Sequence, residues 1–237
     1  MMNKQLALAI QLNDEATLDN FNWHNNHLLK QQVEMMLRFK SEKLLYLWGS
    51  YGSGKSHILQ GCCQAINATE SAIYLPLSLL KEWGPESIEG LEEQALICID
   101  DIETIATNKA WEEAIFHLYN RVKDSEQGML IIAGNHAPTN STIQLPDLRS
   151  RLSWGLVMQL HELNDEEKVT TLKQLALQRG FDLPDGVGQF LINRCSRNMH
   201  DLHQLVDFLD QSSLQAQRKI TIPFVKDILN LHPLLKT

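Results

Sequence analysis

The residues with the plainest chemical purpose are Gly49-Ser50-Tyr51-Gly52-Ser53-Gly54-Lys55-Ser56, a complete G-x-x-x-x-G-K-S run. Glycines at 49, 52 and 54 let the backbone curl so that successive N–H groups, with Ser53 among them, face a phosphate. A helix starting at the end of the loop adds its positive end. Lys55 is placed to reach the outer phosphates and Ser56 to ligate Mg2+. A glycine-rich turn that happens to hold a lysine is the bland alternative. The context speaks against it, because the run follows the apolar stretch Leu44 to Trp48 and leads into a helix bearing Ile58, Leu59 and Ala65. A nucleoside triphosphate site is the expectation.

Three further groups fit such a site. Leu96-Ile97-Cys98-Ile99 ends in Asp100-Asp101, which puts Asp100 at the carboxyl edge of a strand, able to hold magnesium. Asp101 beside it can polarise an attacking water, or can simply cap a helix; Glu103 is a rival for the same task. Asn135 ends the run Ile131-Ile132-Ala133-Gly134, where its amide can hydrogen-bond a γ-phosphate and a water or can cap a turn. Arg149 and Arg151, just before Trp154-Gly155, read as surface charges in an isolated domain. In an ATPase that works between subunits, such an arginine is a finger inserted in trans.

The elements that position these groups follow from hydrophobic pattern. Leu44 to Trp48, Ala72 to Leu75, Ala95 to Ile99, Met129 to Ala133 and Leu156 to Leu160 are short apolar runs without alternation, as in parallel strands buried on both faces. Lys109 to Lys123 places Ala110, Trp111, Ala114, Ile115, Leu118 and Val122 on one helical stripe, with Glu112, Glu113 and Lys123 toward solvent. This predicts an α/β domain with a five-stranded parallel sheet. Beyond Leu160 the pattern turns helical: Asn164 and Glu167 have capping-box spacing, the helix they open stops at Gly180, and apolar stretches recur at 187–192, 202–214 and 221–231. In that region Glu166, Glu167 and Lys168 read as a solvated helix face. The expected organisation is a tail over 1–12, a nucleotide-binding core over 13–160 and a helical lid over 161–237.

Composition narrows the partners. The chain has 237 residues, 21 Lys plus Arg against 29 Asp plus Glu, and a net charge of -8. Such a surface repels phosphate backbones, and no basic run compensates. Cys62, Cys63, Cys98 and Cys195 lack zinc spacing and lie in apolar stretches, which fits a reducing compartment. No apolar run reaches the roughly 18 residues of a membrane span, and Met1 to Ile10 lacks the apolar core of a secretory signal, so a cytoplasmic location without membrane contact is expected.

Taken together, Gly49 to Ser56 followed by His57, the Asp100-Asp101-Ile102 run and Ser150-Arg151-Leu152-Ser153-Trp154-Gly155 resemble the AAA+ module of the DnaA/Hda family of bacterial replication proteins. Trp111 to Arg121, Gln217 to Lys226 and Leu18-Asp19-Asn20-Phe21 extend the resemblance over nearly the whole chain. It implies an AAA+ P-loop NTPase fold with a C-terminal helical lid, and ADP or ATP with Mg2+ as cofactor. Asn20 and Phe21 would enclose the adenine, Ser56 and Asp100 would hold the metal, Asn135 would be the first sensor, and Arg151 the finger acting on ATP bound by the initiator DnaA. His200 stands where the family has an arginine as second sensor; a neutral imidazole grips phosphate more weakly, which puts self-catalysed turnover in doubt. The resemblance also ends before the family's DNA-binding domain, in keeping with the acidic charge. Gln5-Leu6-Ala7-Leu8-Ala9-Ile10 is similar to the peptide with which Hda-type proteins dock on the sliding clamp, the β subunit of DNA polymerase III. Gln5 would enter a polar pocket and Leu6, Leu8 and Ile10 an apolar one, although the same pattern describes an ordinary edge strand. The implied activity is docking on the DNA-loaded clamp and stimulation of initiator ATP hydrolysis, which prevents premature re-initiation. DNA would be reached through the clamp, with self-association open. An autonomous ATPase or a helicase-loader-like factor is the competing expectation.

Overall fold

The computed structural model describes residues 12–39 and 41–231, so the clamp-peptide candidates Gln5, Leu6, Leu8 and Ile10 lie outside the described residues. Two compact units divide the chain: one of residues up to Ser50 and Lys55–His161, the other of Tyr51–Gly54 with residues from Glu162 onward.

In the first unit, β1 (Leu44–Trp48), β2 (Ala72–Pro76), β3 (Leu96–Asp100), β4 (Met129–Gly134) and β5 (Leu156–Gln159) form one parallel sheet in the order β2-β3-β4-β1-β5. Alternate side chains feed two cores. Tyr46, Ile97, Ile99, Leu130 and Ile132 pack on one face, and Leu45, Leu47, Leu96, Cys98, Met129, Ile131 and Ala133 on the other. The second face is covered by α1 (His27–Phe39) and α2 (Lys55–Asn67), through Leu29, Val33 and Met36 and through Ile58, Leu59, Cys62 and Cys63. The first is covered by the short α3 (Leu77–Leu80), by α4 (Lys109–Asp124) and by α5 (Pro146–Leu152). The strands β3 and β4 are buried at every position, as continuous apolar runs require. The edge strand β5 departs from that expectation: Leu156 and Met158 are half-buried while Val157 and Gln159 are exposed, because only β1 pairs with it.

Two charged side chains expected in solvent are buried. Glu112 of α4 is 1% exposed, because a loop from elsewhere in the chain folds back over it. Lys168 is 6% exposed, its ammonium 3.7 Å from the carboxylate of Glu162.

The segment leading to α1 is laid along α2 by polar side chains at helical spacing. Gln60 accepts from the Asn13 N–H at 2.9 Å, Gln64 donates to the Asn13 carbonyl at 2.7 Å, and His57 Nε2 donates to the Thr17 carbonyl at 2.8 Å. Gly61, between them, is required by closeness: a Cβ there would sit 2.9 Å from the Leu18 amide nitrogen. Burial pushes the His57 pKa below its ordinary value of 6.5, the bond to Thr17 offsetting part of this.

The second unit is built from α6 (Asp165–Gln178), α7 (Asp185–Arg194), α8 (Met199–Ala216) and α9 (Ile222–Leu231) around Leu172, Ala176, Leu191, Leu202, Val206, Leu209 and Val225. The capping box opening α6 is complete, with Asn164 accepting from the Glu167 N–H and Glu167 accepting from the Asn164 N–H. Arg179, following α6, pairs with Asp207 of α8 at 2.6 Å.

Two expectations follow. Gly155 turns the chain between α5 and β5 at φ 75°, where a Cβ would stand 2.8 Å from the Leu44 carbonyl oxygen. Gly155→Ala is expected to destabilise the protein by about 2 kcal/mol, read as a lower urea midpoint at unchanged slope. Because the folded His57 pKa is depressed, the unfolded chain takes up that proton first. The stability from neutral His57 is therefore full above about pH 7 and lost as the pH falls through the folded value. His57→Gln donates but does not titrate; its deficit in melting temperature relative to the native protein should shrink from about pH 7.5 to about pH 5, and a constant deficit would contradict this.

Candidate phosphate-loop site

The parallel register brings the ends of β1, β3 and β4 to one edge of the sheet, Trp48 beside Gly134 and Ile99 beside Ile132. Polar groups collect at that edge because it is where the strands leave the apolar interior. The Gly49 N–H donates to the Gly134 carbonyl at 3.2 Å, which ties the start of the loop to the end of β4. Gly52 and Gly54 take φ of 77° and 103°, conformations that L side chains rarely adopt, so the spacing of these glycines is a backbone requirement.

Lys55 opens α2 and is 6% exposed. Its ammonium donates to the Gly49 carbonyl at 2.8 Å, the Ser50 carbonyl at 2.9 Å and Asn135 Oδ1 at 3.0 Å. Asn135 lies just past β4: its Nδ2 donates to Glu103 Oε1, and its backbone N–H donates to Glu103 Oε2 at 3.3 Å. Burial raises the Glu103 pKa, while Asn135 and Lys55 pull it back.

Asp100 is 1% exposed at the end of β3. Tyr74 donates to its Oδ2 at 2.7 Å and the Asp101 N–H to its Oδ1 at 2.9 Å. Burial pushes its pKa up; the neighbouring Ser56 hydroxyl is the largest opposing influence. Asp101 sits at φ 56°, ahead of the 3-10 turn Ile102–Ile105. Its side chain makes no capping hydrogen bond; the Thr104 hydroxyl and N–H both donate to its carbonyl instead, which leaves the carboxylate without a capping role. Phe21 packs edge-to-face with Trp23 and His57, ring centroids 4.7 and 5.4 Å apart, and Asn20 Nδ2 donates to the Glu15 carbonyl at 3.1 Å.

These residues fit a phosphate chain with its metal. Ser53 Oγ in the loop is buried and has no hydrogen-bond partner among the described residues, and the hydroxyl of Ser56 and carboxylate of Asp100 form an oxygen pair of the kind magnesium takes.

The candidate fingers and the second-sensor candidate are carried by other elements, α5 and α8. Arg149 and Arg151 are carried by α5, a helix of two turns that is held by burial of Leu148 and Leu152, each worth roughly 2 kcal/mol. Arg149 is exposed, and Arg151 stacks on the ring of Trp154 with 4.8 Å to the centroid. Trp154 is 51% exposed and takes Lys123 Nζ at 4.3 Å as well. His200 is exposed in the first turn of α8, its Nε2 3.0 Å from Gln204 Nε2. Among the described residues no group of three or more His, Cys, Asp and Glu could hold a metal ion.

The family described as bacterial DnaA ATPase domain matches residues 86–159, and that described as Hda, lid domain, matches residues 165–229. An uncharacterised protein of Haemophilus influenzae is 45% identical over 231 residues, 97% of this chain and 100% of that protein. Domain III of the Thermotoga maritima replication initiation protein DnaA superposes with a TM-score of 0.79 at 19% identity, covering 96% of this chain and 99% of that one. DnaA from Aquifex aeolicus, bound to AMPPCP, gives 0.71 at 21% identity over 84% of this chain and 66% of that one. At such identities the structural likeness shows the fold, an AAA+ α/β module followed by helices. A relative nearly half identical along its full length, together with the two family matches that follow one another along the chain, places the matter beyond fold: the chain belongs to the Hda/DnaA family of AAA+ proteins.

Proposed function

We propose that this chain is a regulatory AAA+ protein that binds an adenine nucleotide on the Gly49–Ser56 loop and presents Arg151 to ATP held by the replication initiator DnaA. The observation that carries the reading is the placement of Arg151. It stands on a helix pinned by two buried leucines, parked on an exposed tryptophan, and it makes no ion pair among the described residues. A guanidinium so held is available to meet phosphoryl charge developing on another chain. The lid match supports an Hda-type role, and His200 at the second-sensor position supports weak turnover by the chain itself.

Within this chain, Lys55 would exchange the Gly49 and Ser50 carbonyls for phosphate oxygens, and the loop N–H groups and the start of α2 would face the same charge. Ser56 and Asp100 would hold magnesium, which when bound neutralises charge on the outer phosphates. Asp101 would orient a water and Asn135 would contact the terminal phosphate, with Phe21 and Asn20 on the adenine side. Docking on the DNA-loaded sliding clamp through Gln5, Leu6, Leu8 and Ile10 would bring Arg151 to the initiator in the cytoplasm, limit re-initiation and make contact with DNA indirect. No helix among the described residues is long and apolar enough to cross a membrane.

The test is ATP hydrolysis by the cognate initiator, with and without this protein, clamp and DNA. Stimulation is expected only with all components, and Arg151→Ala should lower it by about 1000-fold while its own nucleotide binding persists. An initiator rate that never changes, beside hydrolysis by this protein alone, would replace the proposal with an autonomous or helicase-loader-like ATPase. Lys55→Ala, titrated with ADP by calorimetry, is expected to bind about 100-fold more weakly, the loss of about 3 kcal/mol of charge-assisted hydrogen bonding.

A further inference from the structure

Helix α4 carries a carboxylate into the core. Glu112 Oε1 accepts the Thr107 N–H at 2.8 Å and the Gln144 N–H at 3.0 Å, and Oε2 accepts the Gln144 N–H at 3.1 Å and the Leu145 N–H at 2.6 Å. Burying a carboxylate is costly unless its oxygens are filled, and here three backbone amides fill them. Two of those amides belong to consecutive residues directly before Pro146, the first residue of α5. Seven residues cannot hold a helix unaided, so where α5 begins is decided by what fixes Gln144 and Leu145. Its far end is also referred to α4, because Trp154, just past α5, lies against Lys123 of the same helix and against Arg151.

We infer that Glu112 is a positioning residue for Arg151: by clamping the two amides ahead of α5 it sets where the guanidinium stands when a partner's nucleotide arrives. The inference rests on the reading of Arg151 given above. Side-chain size alone cannot replace the carboxylate. Glutamine keeps one acceptor oxygen and turns an NH2 donor toward amide N–H groups, while aspartate keeps the charge but falls one methylene short.

The experiment compares native protein, Glu112→Gln and Arg151→Ala in the initiator ATPase assay with clamp and DNA. It varies initiator–ATP concentration to separate kcat from KM, and it follows amide hydrogen exchange of each protein alone. Glu112→Gln is expected to lower the stimulated kcat by about 100-fold, as for a catalytic group misplaced by an ångström. KM and ADP affinity should be unchanged, and exchange should quicken at 144–152 without change in the sheet. A purely structural Glu112 would lower the melting temperature and leave kcat intact below it; that result, or native exchange at 144–152, overturns the inference. Should Glu112→Gln not fold, Glu112→Asp is read by the same measures. Failure of the native protein to stimulate refutes the Arg151 reading and this inference with it. Stimulation lost in Arg151→Ala but retained in Glu112→Gln refutes the inference alone.

Discussion

The apolar interior on both faces of β1, β3 and β4 is the constraint from which the site descends. Side chains alternate between two cores along these strands, so a polar group within them would be buried without water, and the first position at which one is tolerated is the strand end. Three neighbouring strands pointing the same way place those ends side by side. Gly49, Asp100 and Asn135 are therefore brought together by the sheet, and Lys55 ties two of the three ends with one ammonium.

The electrostatics of that edge are opposed by design of the fold. Burial pushes the carboxyls of Asp100 and Glu103 toward the protonated form, and each is drawn back by a donor from a different element, Ser56 at the start of α2 for one and Asn135 past β4 for the other. Asn135 faces a cation through its oxygen and a carboxylate through its nitrogen, which fixes the orientation of its amide.

Much of this was legible in residue types because it depends on local rules. The loop is dictated by glycine spacing, the strands by unbroken apolar runs, and the opening of α6 by Asn164 and Glu167. Glu112 was not legible. Helical periodicity assigns it to solvent, and its burial comes from a loop more than thirty residues away whose amides carry no side-chain signal. The Asn135–Glu103 pair is hidden for the same reason, since it is created by two strand ends meeting in space. Lys168 looks like any lysine on a charged helix face until Glu162 comes against it, and the alternation of β5 reflects its place at the edge of the sheet.

The shared ring of Trp154 has an energetic consequence. A cation resting on an exposed aromatic face gains only about 0.5–1 kcal/mol, and here Lys123 and Arg151 crowd the same ring, so neither is held at more than a few multiples of the thermal energy. Departure of one relieves like-charge crowding for the other. The indole is a resting place with low exit cost for either cation.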